Sequence, residues 1–379
     1  MSNKIRVGIV FGGRSAEHAI SLLSAKSVIE AINKDKYEVV LLGISKAGEW
    51  FFYDDLEHCL LDAHSAKRIR MQEAYHPVAL VAQPGASPLV SLEPHASSRP
   101  VDVIFPLVHG PYGEDGTIQG LVKLANIPFV GAGVLGSAVA MDKDVMKRLL
   151  KEACIPIAPF LILNAHNAMD TTFEEIVETV GLPFFVKPAN LGSSIGVSKV
   201  HGVDDFDEKI AFAFRFDRKI ILETSIEGRE LECSVLGNDH PIASVVGELI
   251  PQHEFYSYEA KYLDDEGALF EIPARLSAEK QREIQALALK AYKVLCCEGM
   301  ARVDLFLSPN GQLFLNEINT IPGFTKISMY PKLWEASGLH YPDLIDRLIS
   351  LAIERFEQEQ SLNTALMLMG EQPVPSDLE

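Results

Sequence analysis

The segment from Arg302 to Phe324 constrains this chain more than any other, because it puts charged and apolar side chains in alternation along two adjacent strands. ARVDLFL and QLFLNEIN flank Ser308-Pro309-Asn310-Gly311, and Asn-Gly between alternating strands is a strong hairpin signal. Pairing Leu307 with Gln312 places Arg302, Asp304 and Phe306 on one face with Leu313, Leu315, Glu317 and Asn319, since side chains alternate along each strand. The other face takes Val303, Leu305, Leu307, Phe314 and Ile318 and is apolar enough to pack a core. Two carboxylates and an amide are hard oxygen donors of the kind Mg²⁺ takes together with phosphate oxygens, and a neighbouring Arg suits a phosphate or a developing oxyanion. The expectation is a nucleotide-metal site. The competing reading, a surface hairpin with solvated charges, requires that the rest of the chain offer no phosphate-binding parts.

At 379 residues the chain is long for one hydrophobic core, so two or three domains are expected. Its formal charge of -18, from 34 basic and 52 acidic residues, repels a polyanion and argues against nucleic-acid binding. An anionic substrate must then be met by local cations and backbone N–H groups. Cys59, Cys154, Cys233, Cys296 and Cys297 form no Cys-x-x-Cys pair, which fits a reducing cytoplasm better than a disulfide framework or a zinc site. The apolar run Val7 to Phe11 is too short for a signal-peptide core, and no later stretch approaches a membrane span.

From Ile5 to Ala140 the order is strand, turn, helix, strand: IRVGIVFGG leads into AEHAISLLSAKSVIEAI, then YEVVLLGI, VDVIFPLVHG and IPFVGAG. This predicts an α/β, doubly wound parallel sheet with ligand loops at Gly12-Gly13 and Gly131-x-Gly133, although tight βα turns use glycine without any ligand too. Asp62 to Pro100 reads as an insertion or loop excursion. Met141 to Ile155 is a helix by its apolar spacing, stopped by Pro156. FEEIVETVGLPFFVKP reads as a helix ending at Gly181 and a buried strand reaching Lys187, followed by ANLGSSIGVSKV. That glycine- and serine-rich turn with its flanking lysines either lays N–H donors on a triphosphate or is a flexible hairpin; it is not a Walker A loop. RKIILETSIEGRELECSVLG reads as a strand carrying Glu223, a turn at Gly228 and a strand from Glu230. Those acids either accept from adenine and ribose or belong to a solvated edge.

Lys143, Lys187, the Gly/Ser loop, Glu223, Glu230, Asp304, Glu317 and Asn319, in this order, resemble the ATP-grasp enzymes, in which two α+β subdomains clamp ATP. More narrowly, GGRSAEHAIS, HGPYGEDGTIQG, KPANLGSSIGVSKV, YSYEAKY, ARVD and NEINTIPGFT together resemble the D-alanine:D-alanine ligase family from Ile5 to about Leu348. The resemblance implies an N-terminal α/β substrate-binding domain over 1–140, a central ATP-grasp subdomain over 141–228 and a C-terminal one over 229–360 with a lid at 251–267. Residues 361–379 form a tail. It implies ATP and two Mg²⁺ or Mn²⁺ ions as cofactors, two D-alanines as substrates, and a cytoplasmic homodimer without nucleic-acid or membrane partners.

By position, the resemblance assigns ATP phosphates to Lys143 and Lys187, further ATP contacts to Ser194, Glu223, Ile226, Glu230, Tyr256 and Lys261, and metal to Asp304, Glu317 and Asn319. Arg302 and the Gly323 N–H fall at the oxyanion of the tetrahedral intermediate. Glu17 falls at the first D-alanine's ammonium, in a triad with Ser193 and Tyr262, while His109 lies near that substrate and Ser328 receives the second carboxylate. A Tyr at 262 goes with dipeptide rather than depsipeptide formation. Two departures limit the transfer: Ala19 stands where the family usually has a second acid, and Thr224-Ser225-Ile226 follows Glu223 where Lys or Pro is common. Another ATP-grasp carboxylate-amine ligase is the alternative, and a non-catalytic nucleotide module is a third reading, opposed by the retention of Arg302 and the acidic set.

Overall fold

The apolar runs IRVGIVFG and YEVVLLGI form β1 (Ile5–Gly12) and β2 (Tyr37–Ile44), parallel neighbours joined through α1 (His18–Ala31). The structure is a computed structural model that describes residues 4–55, 60–61, 70–71, 76–81, 88–93, 100–251 and 268–362. β3 (Trp50–Tyr53) runs antiparallel to β2, while β4 (Leu60–Leu61) and β5 (Arg70–Met71) make a separate ribbon. β6 (His76–Leu80) and β7 (Leu89–Ser91) extend the sheet beyond β3, and β8 (Val103–Pro106) lies parallel to β1, giving the order β7-β6-β3-β2-β1-β8. The parallel core is thus three strands with an antiparallel extension. Part of the stretch expected to be a loop excursion, Asp62 to Pro100, is sheet; strands of three and five residues, one holding Pro77, are too short to announce themselves by alternation.

Both faces of β1 are covered, which is why it reads as a continuous apolar run. Val7, Ile9 and Phe11 pack with α1 and distant C-terminal residues, whereas Val10 packs with Leu42 and Ile104 under α2 (Thr117–Leu124). Ala19 also packs against the first of these cores, so helix packing there needs no acid. Gly12 has φ of 90° and a Cβ on it would collide with the Ile44 carbonyl, so the turn out of β1 needs glycine.

The helix expected from Met141 to Ile155 is present but starts two residues later, after a separate helix. α3 (Val134–Met141) ends at Asp142, whose side chain accepts from the N–H groups of Asp144 and Val145 at 3.1 Å and starts α4 (Lys143–Glu152). A second sheet, order β11-β10-β12-β9, contains β9 (Phe160–Asn164), β10 (Phe184–Pro188), β11 (Ser198–Val200) and β12 (Lys219–Thr224). α5 (Phe173–Val180) and α6 (Phe206–Ala213) cover one of its faces. A third, order β15-β14-β13-β16-β17, contains β13 (Arg229–Leu236), β14 (Ile242–Pro251), β15 (Ala268–Glu271), β16 (Met300–Leu307) and β17 (Leu313–Asn319). α7 (Ala278–Val294) packs on it; α8 (Met329–Ala336) and α9 (Tyr341–Ser361) complete the described chain.

α9 returns to the first sheet, where Leu344, Ile345, Leu348 and Ile349 share a core with Val7, Ile9 and Phe105. Arg355 fastens that return: it donates to the carbonyls of Gly131 at 2.7 Å and Phe129 at 2.8 Å, pairs with Glu298 at 3.2 Å, and lies over the Phe129 ring. A second fastening is the buried His109. Its Nδ1 lies 3.0 Å from the Ile321 carbonyl, which can only accept, so Nδ1 carries the proton and Nε2 accepts from Ser24 Oγ at 3.1 Å. Ser24 Oγ in turn accepts from the Phe324 N–H at 3.4 Å.

Replacing Arg355 by Ala leaves two buried carbonyls without a donor and is expected to destabilise the fold by about 3 kcal/mol. The exposed pair Lys123–Glu359, at 3.1 Å, is the control. Lys123→Ala should cost under about 0.5 kcal/mol, and chemical denaturation of the two variants checks the contrast. Burial pushes the His109 pKa below its usual value, outweighing the pull of Glu17 and the Ile321 bond. The unfolded chain therefore takes up a proton that the native state refuses, so stability falls as pH drops below about 6.5. His18, also lowered by burial, acts in the same sense. His109→Gln should flatten, without abolishing, the fall of the denaturation midpoint between about pH 6.5 and 5; an unchanged slope would contradict this assignment.

Candidate active site

The β16–β17 hairpin turns one residue later than its Asn-Gly signal suggested. Ser308 N–H donates to the Gln312 carbonyl at 3.0 Å, and Gln312 N–H to Asn310 Oδ1 at 3.1 Å, so Leu307 faces Leu313 rather than Gln312. Phe306 then faces Phe314 and Leu305 faces Leu315. Beyond them the register shifts: Asp304 faces Glu317, Val303 faces Ile318 and Arg302 faces Asn319, leaving Asn316 as the extra residue of a bulge. Leu313 and Leu315 therefore belong to the core face and Phe314 to the open face, the reverse of expectation. Arg302, Asp304, Glu317 and Asn319 nonetheless share a face as expected, because the bulge cancels the slip.

These four groups are closely bonded. Arg302 donates to Asp304 through Nε at 2.7 Å and Nη2 at 2.6 Å, and Asn319 Nδ2 donates to Asp304 Oδ2 at 3.0 Å. Arg302 Nε also lies 2.9 Å from Glu232 Oε2, a β13 carboxylate beside Asp304 in the sheet. Glu317 Oε2 is 3.6 Å from Lys143 Nζ. Among the described residues no three His, Cys, Asp or Glu side chains converge as a closed metal cage. Asp304, Glu317 and the Asn319 amide are a partial donor set, which fits Mg²⁺ completed by phosphate oxygens and water.

The second sheet supplies cations. Lys187 on β10 donates to Glu223 Oε2 on β12 at 2.7 Å, and Lys147 Nζ on α4 pairs with Glu223 Oε1. Burial pushes the Glu223 carboxyl up, but the two ammonium groups outweigh it and hold it below the usual range. The Lys187 ammonium is lowered by burial and raised further by Glu223, with Glu317 and Glu230 adding to the rise. Lys147, deepest of the three, is pulled down by burial. Lys143 is no solvated helix residue: its side chain is 11% exposed and donates to the Leu191 carbonyl at 2.7 Å, fixing the Gly/Ser loop. In that loop Ser193 and Ser194 both take left-handed φ, 52° and 57°. Ile226 lies in the connection between β12 and β13, and Glu230 on β13 faces Phe306.

Ser193 Oγ donates to Glu17 Oε1, which joins the Gly/Ser loop to the start of α1. A Cβ on Gly110 would lie 2.7 Å from Glu17 Oε2, too close for contact, so the glycine in that loop lets the carboxylate in. Glu114 accepts from the Gly110 N–H at 2.7 Å; burial and then Glu17 push its carboxyl up to about 8, against the backbone donors of Gly110 and Ile321. His109 turns to Ser24 and Ile321, and among the described atoms it acts on the 321–324 loop rather than lying open. Gly323 follows in that loop, where a Cβ would approach Ser328 Oγ to 3.1 Å, and Ser328 Oγ accepts from Thr325 N–H at 3.1 Å. Tyr256, Lys261 and Tyr262, with nearly all of the expected lid, lie outside the described residues. Sequence reasoning missed Lys147, Glu114 and Glu232. Their signals were Lys147 one helical turn after Lys143, Glu114 inside HGPYGEDG, and Glu232 two residues after Glu230 on one strand face.

The family model described as D-ala D-ala ligase N-terminus matches residues 6–132, and that described as D-ala D-ala ligase C-terminus matches residues 149–350. Two curated relatives are D-alanine--D-alanine ligases. That of Salmonella typhimurium, ligase A, is 51% identical over 96% of this chain and 100% of its own length. That of Shouchella clausii is 50% identical over 96% and 98%. Among solved structures, the D-alanine-D-alanine ligase from Coxiella burnetii superposes with a TM-score of 0.85 at 37% identity, covering 98% of this chain and all of that one. The VanG D-Ala:D-Ser ligase from Enterococcus faecalis superposes with a TM-score of 0.81 at 35% identity, covering 92% of this chain and all of that one. This chain belongs to the D-alanine:D-alanine ligase family.

Proposed function

We propose that this protein joins two D-alanines into D-alanyl-D-alanine, consuming ATP and releasing ADP and phosphate, as a step in making the peptidoglycan precursor. The observation that carries the reading is the Ser193–Glu17 hydrogen bond. It ties a loop beside the lysine pair to a carboxylate beyond the C-terminal end of β1, which is where an amino-acid ammonium and a nucleotide phosphate must meet.

In this reading the first D-alanine's carboxylate oxygen attacks the γ-phosphorus, ADP leaves, and an acyl phosphate forms. The second D-alanine's amine then attacks the acyl carbon, the tetrahedral intermediate collapses, phosphate leaves and the ammonium proton passes to solvent or phosphate. Glu17 holds the first ammonium; Lys143, Lys187 and the loop N–H groups, Ser194 included, take phosphate charge. Glu223, Ile226 and Glu230 border the nucleoside. Arg302 and the Gly323 N–H receive the developing oxyanion, a task that suits a permanently charged guanidinium. Ser328 receives the second carboxylate. Asp304, Glu317 and Asn319 would hold Mg²⁺ or Mn²⁺, which would supply neutralisation of phosphate charge. Tyr262 completes the triad with Glu17 and Ser193, and Tyr256 and Lys261 close over the nucleotide with the lid. The working unit is a cytoplasmic homodimer divided at 1–140, 141–228 and 229–360; among the described residues no helix is long and apolar enough to cross a membrane.

Coupled ADP release tests the reading. D-Ala should support turnover with D-alanyl-D-alanine as product, while L-Ala should not, and D-Ser and D-lactate should compete poorly for the second position near neutral pH. Preferential formation of a mixed D-Ala-D-Ser product would move the assignment to the other ligase type among its structural relatives. Asp304→Ala or Glu317→Ala should lower kcat by at least about 100-fold. Each should retain the parent's circular dichroism, because both side chains are on the open face of the hairpin and Arg302 keeps Glu232 as a partner. Near-parent Mg²⁺-dependent turnover in either variant would remove the metal assignment.

A further inference from the structure

Lys147 has no part in the reaction as described, yet it is among the largest side chains that are fully buried, with 1% of its side chain exposed. It sits one turn after Lys143 on α4, so the two ammonium groups leave the helix on one side. Glu223 lies between Lys147 and Lys187: Lys147 is on Oε1, and Lys187 is on Oε2 at 2.7 Å. Lys187 and Glu223 are diagonal neighbours on one face of the second sheet, since Glu223 is opposite Phe185 and Lys187 is opposite Ile221. The arrangement is graded in depth. Side-chain exposure is 1% for Lys147, 4% for Glu223 and 14% for Lys187, so an incoming anion reaches only the outer lysine.

Within this trio two cations share one carboxylate, and Lys187 is the cation on the accessible side. For Lys187 to serve a phosphate it must loosen its hold on Glu223. Were Lys187 the sole partner, that step would leave a buried carboxylate uncompensated, which is strongly unfavourable. With Lys147 in place the carboxylate keeps a partner. We propose that Lys147 is a positioning residue for the nucleotide, a fixed inner counter-ion that holds Glu223 so that Lys187 can transfer from Glu223 to the polyphosphate. The inference rests on the reading of this region as the ATP site.

Calorimetry on the full chain with a non-hydrolysable ATP analogue and with adenosine tests it. Lys147→Met, close in volume but uncharged, should weaken the ATP analogue at least about 10-fold, the scale of one charge-assisted phosphate contact. Adenosine has no phosphate to draw Lys187 away, so Glu223 keeps that partner and adenosine affinity should change less than about 2-fold, and Lys147→Arg should keep most of the affinity. In a Glu223→Gln background Lys187 has no carboxylate to neutralise, so adding Lys147→Met should change analogue affinity by less than about 2-fold. This pair of variants buries no unpaired carboxylate, and an undiminished loss between them overturns the inference even if Lys147→Met alone does not fold. Equal losses for analogue and adenosine, an undiminished loss in the Glu223→Gln background, or no loss in Lys147→Met would each overturn the inference. If Lys187→Met also leaves analogue affinity unchanged, it is the assignment of the ATP site that fails; if Lys187→Met weakens binding and Lys147→Met does not, only the role of Lys147 falls.

Discussion

The bulge at Asn316 is the constraint on which the site depends. The turn at Ser308 to Gln312 fixes Leu307 against Leu313, and an unbroken ladder from there would set Val303 opposite Glu317 and Arg302 opposite Ile318. A carboxylate would then point into the core and an isoleucine into the site, because a one-residue slip moves every following side chain to the other face. Burying that carboxylate without a partner costs far more than one interrupted rung of hydrogen bonds. The inserted residue restores Val303 and Ile318 to the core and turns Glu317 back towards Asp304 and Lys143. Turn chemistry and hydrophobic pattern disagree by one residue, and the bulge reconciles them at the point where the acidic groups converge.

That history explains what was legible in the sequence. The two faces of the hairpin could be read from alternation, since Val303, Leu305 and Leu307 are separated by polar or larger residues at every second position. The register could not be read, because Ser308 and Asn310 side chains bond within the turn and lengthen it, a tertiary outcome of local hydrogen bonding. The parallel core of β1, β2 and β8 was legible as apolar runs buried on both faces, whereas β6 and β7 were too short and too interrupted to separate from a loop. Glu17 and Ser193 lie 176 residues apart in the chain, and nothing in either local sequence joins them. Only the resemblance to a family brought the two together, and the fold then supplied the physical reason in the glycine at 110, which leaves room for the Glu17 carboxylate. Lys147 was overlooked for the opposite reason: a lysine on a charged helix looks solvated until the sheet against which the helix packs is known.

A chain of net charge -18 that binds a polyanion faces a general electrostatic penalty, and it meets the penalty locally. Each candidate cation is already held by a carboxylate: Lys187 by Glu223, Lys143 beside Glu317, Arg302 by Asp304 and Glu232. Such pairs add little to stability, because desolvation offsets most of the attraction. Their effect is on position. A lysine or arginine bonded to a fixed carboxylate has few rotamers left to lose, so it meets a phosphate or an oxyanion with less ordering than a free side chain would need.

The same logic bears on how the two halves of the chain are brought into register. The N-terminal sheet offers Glu17 and His109, the C-terminal sheets offer Ser193 and the 321–324 loop, and each contact crosses between them. These crossings are hydrogen bonds in a setting otherwise held by apolar contact, with Phe105 against Phe324 and α9 laid across the first sheet. Apolar packing sets the halves together without specifying angle closely, since dispersion and burial are non-directional. A buried imidazole with one defined tautomer, or a carboxylate seated against Gly110 and bonded to Ser193, tolerates far less displacement. The directional bonds therefore set the angle at which the two halves meet, and the apolar core supplies the energy that keeps them there.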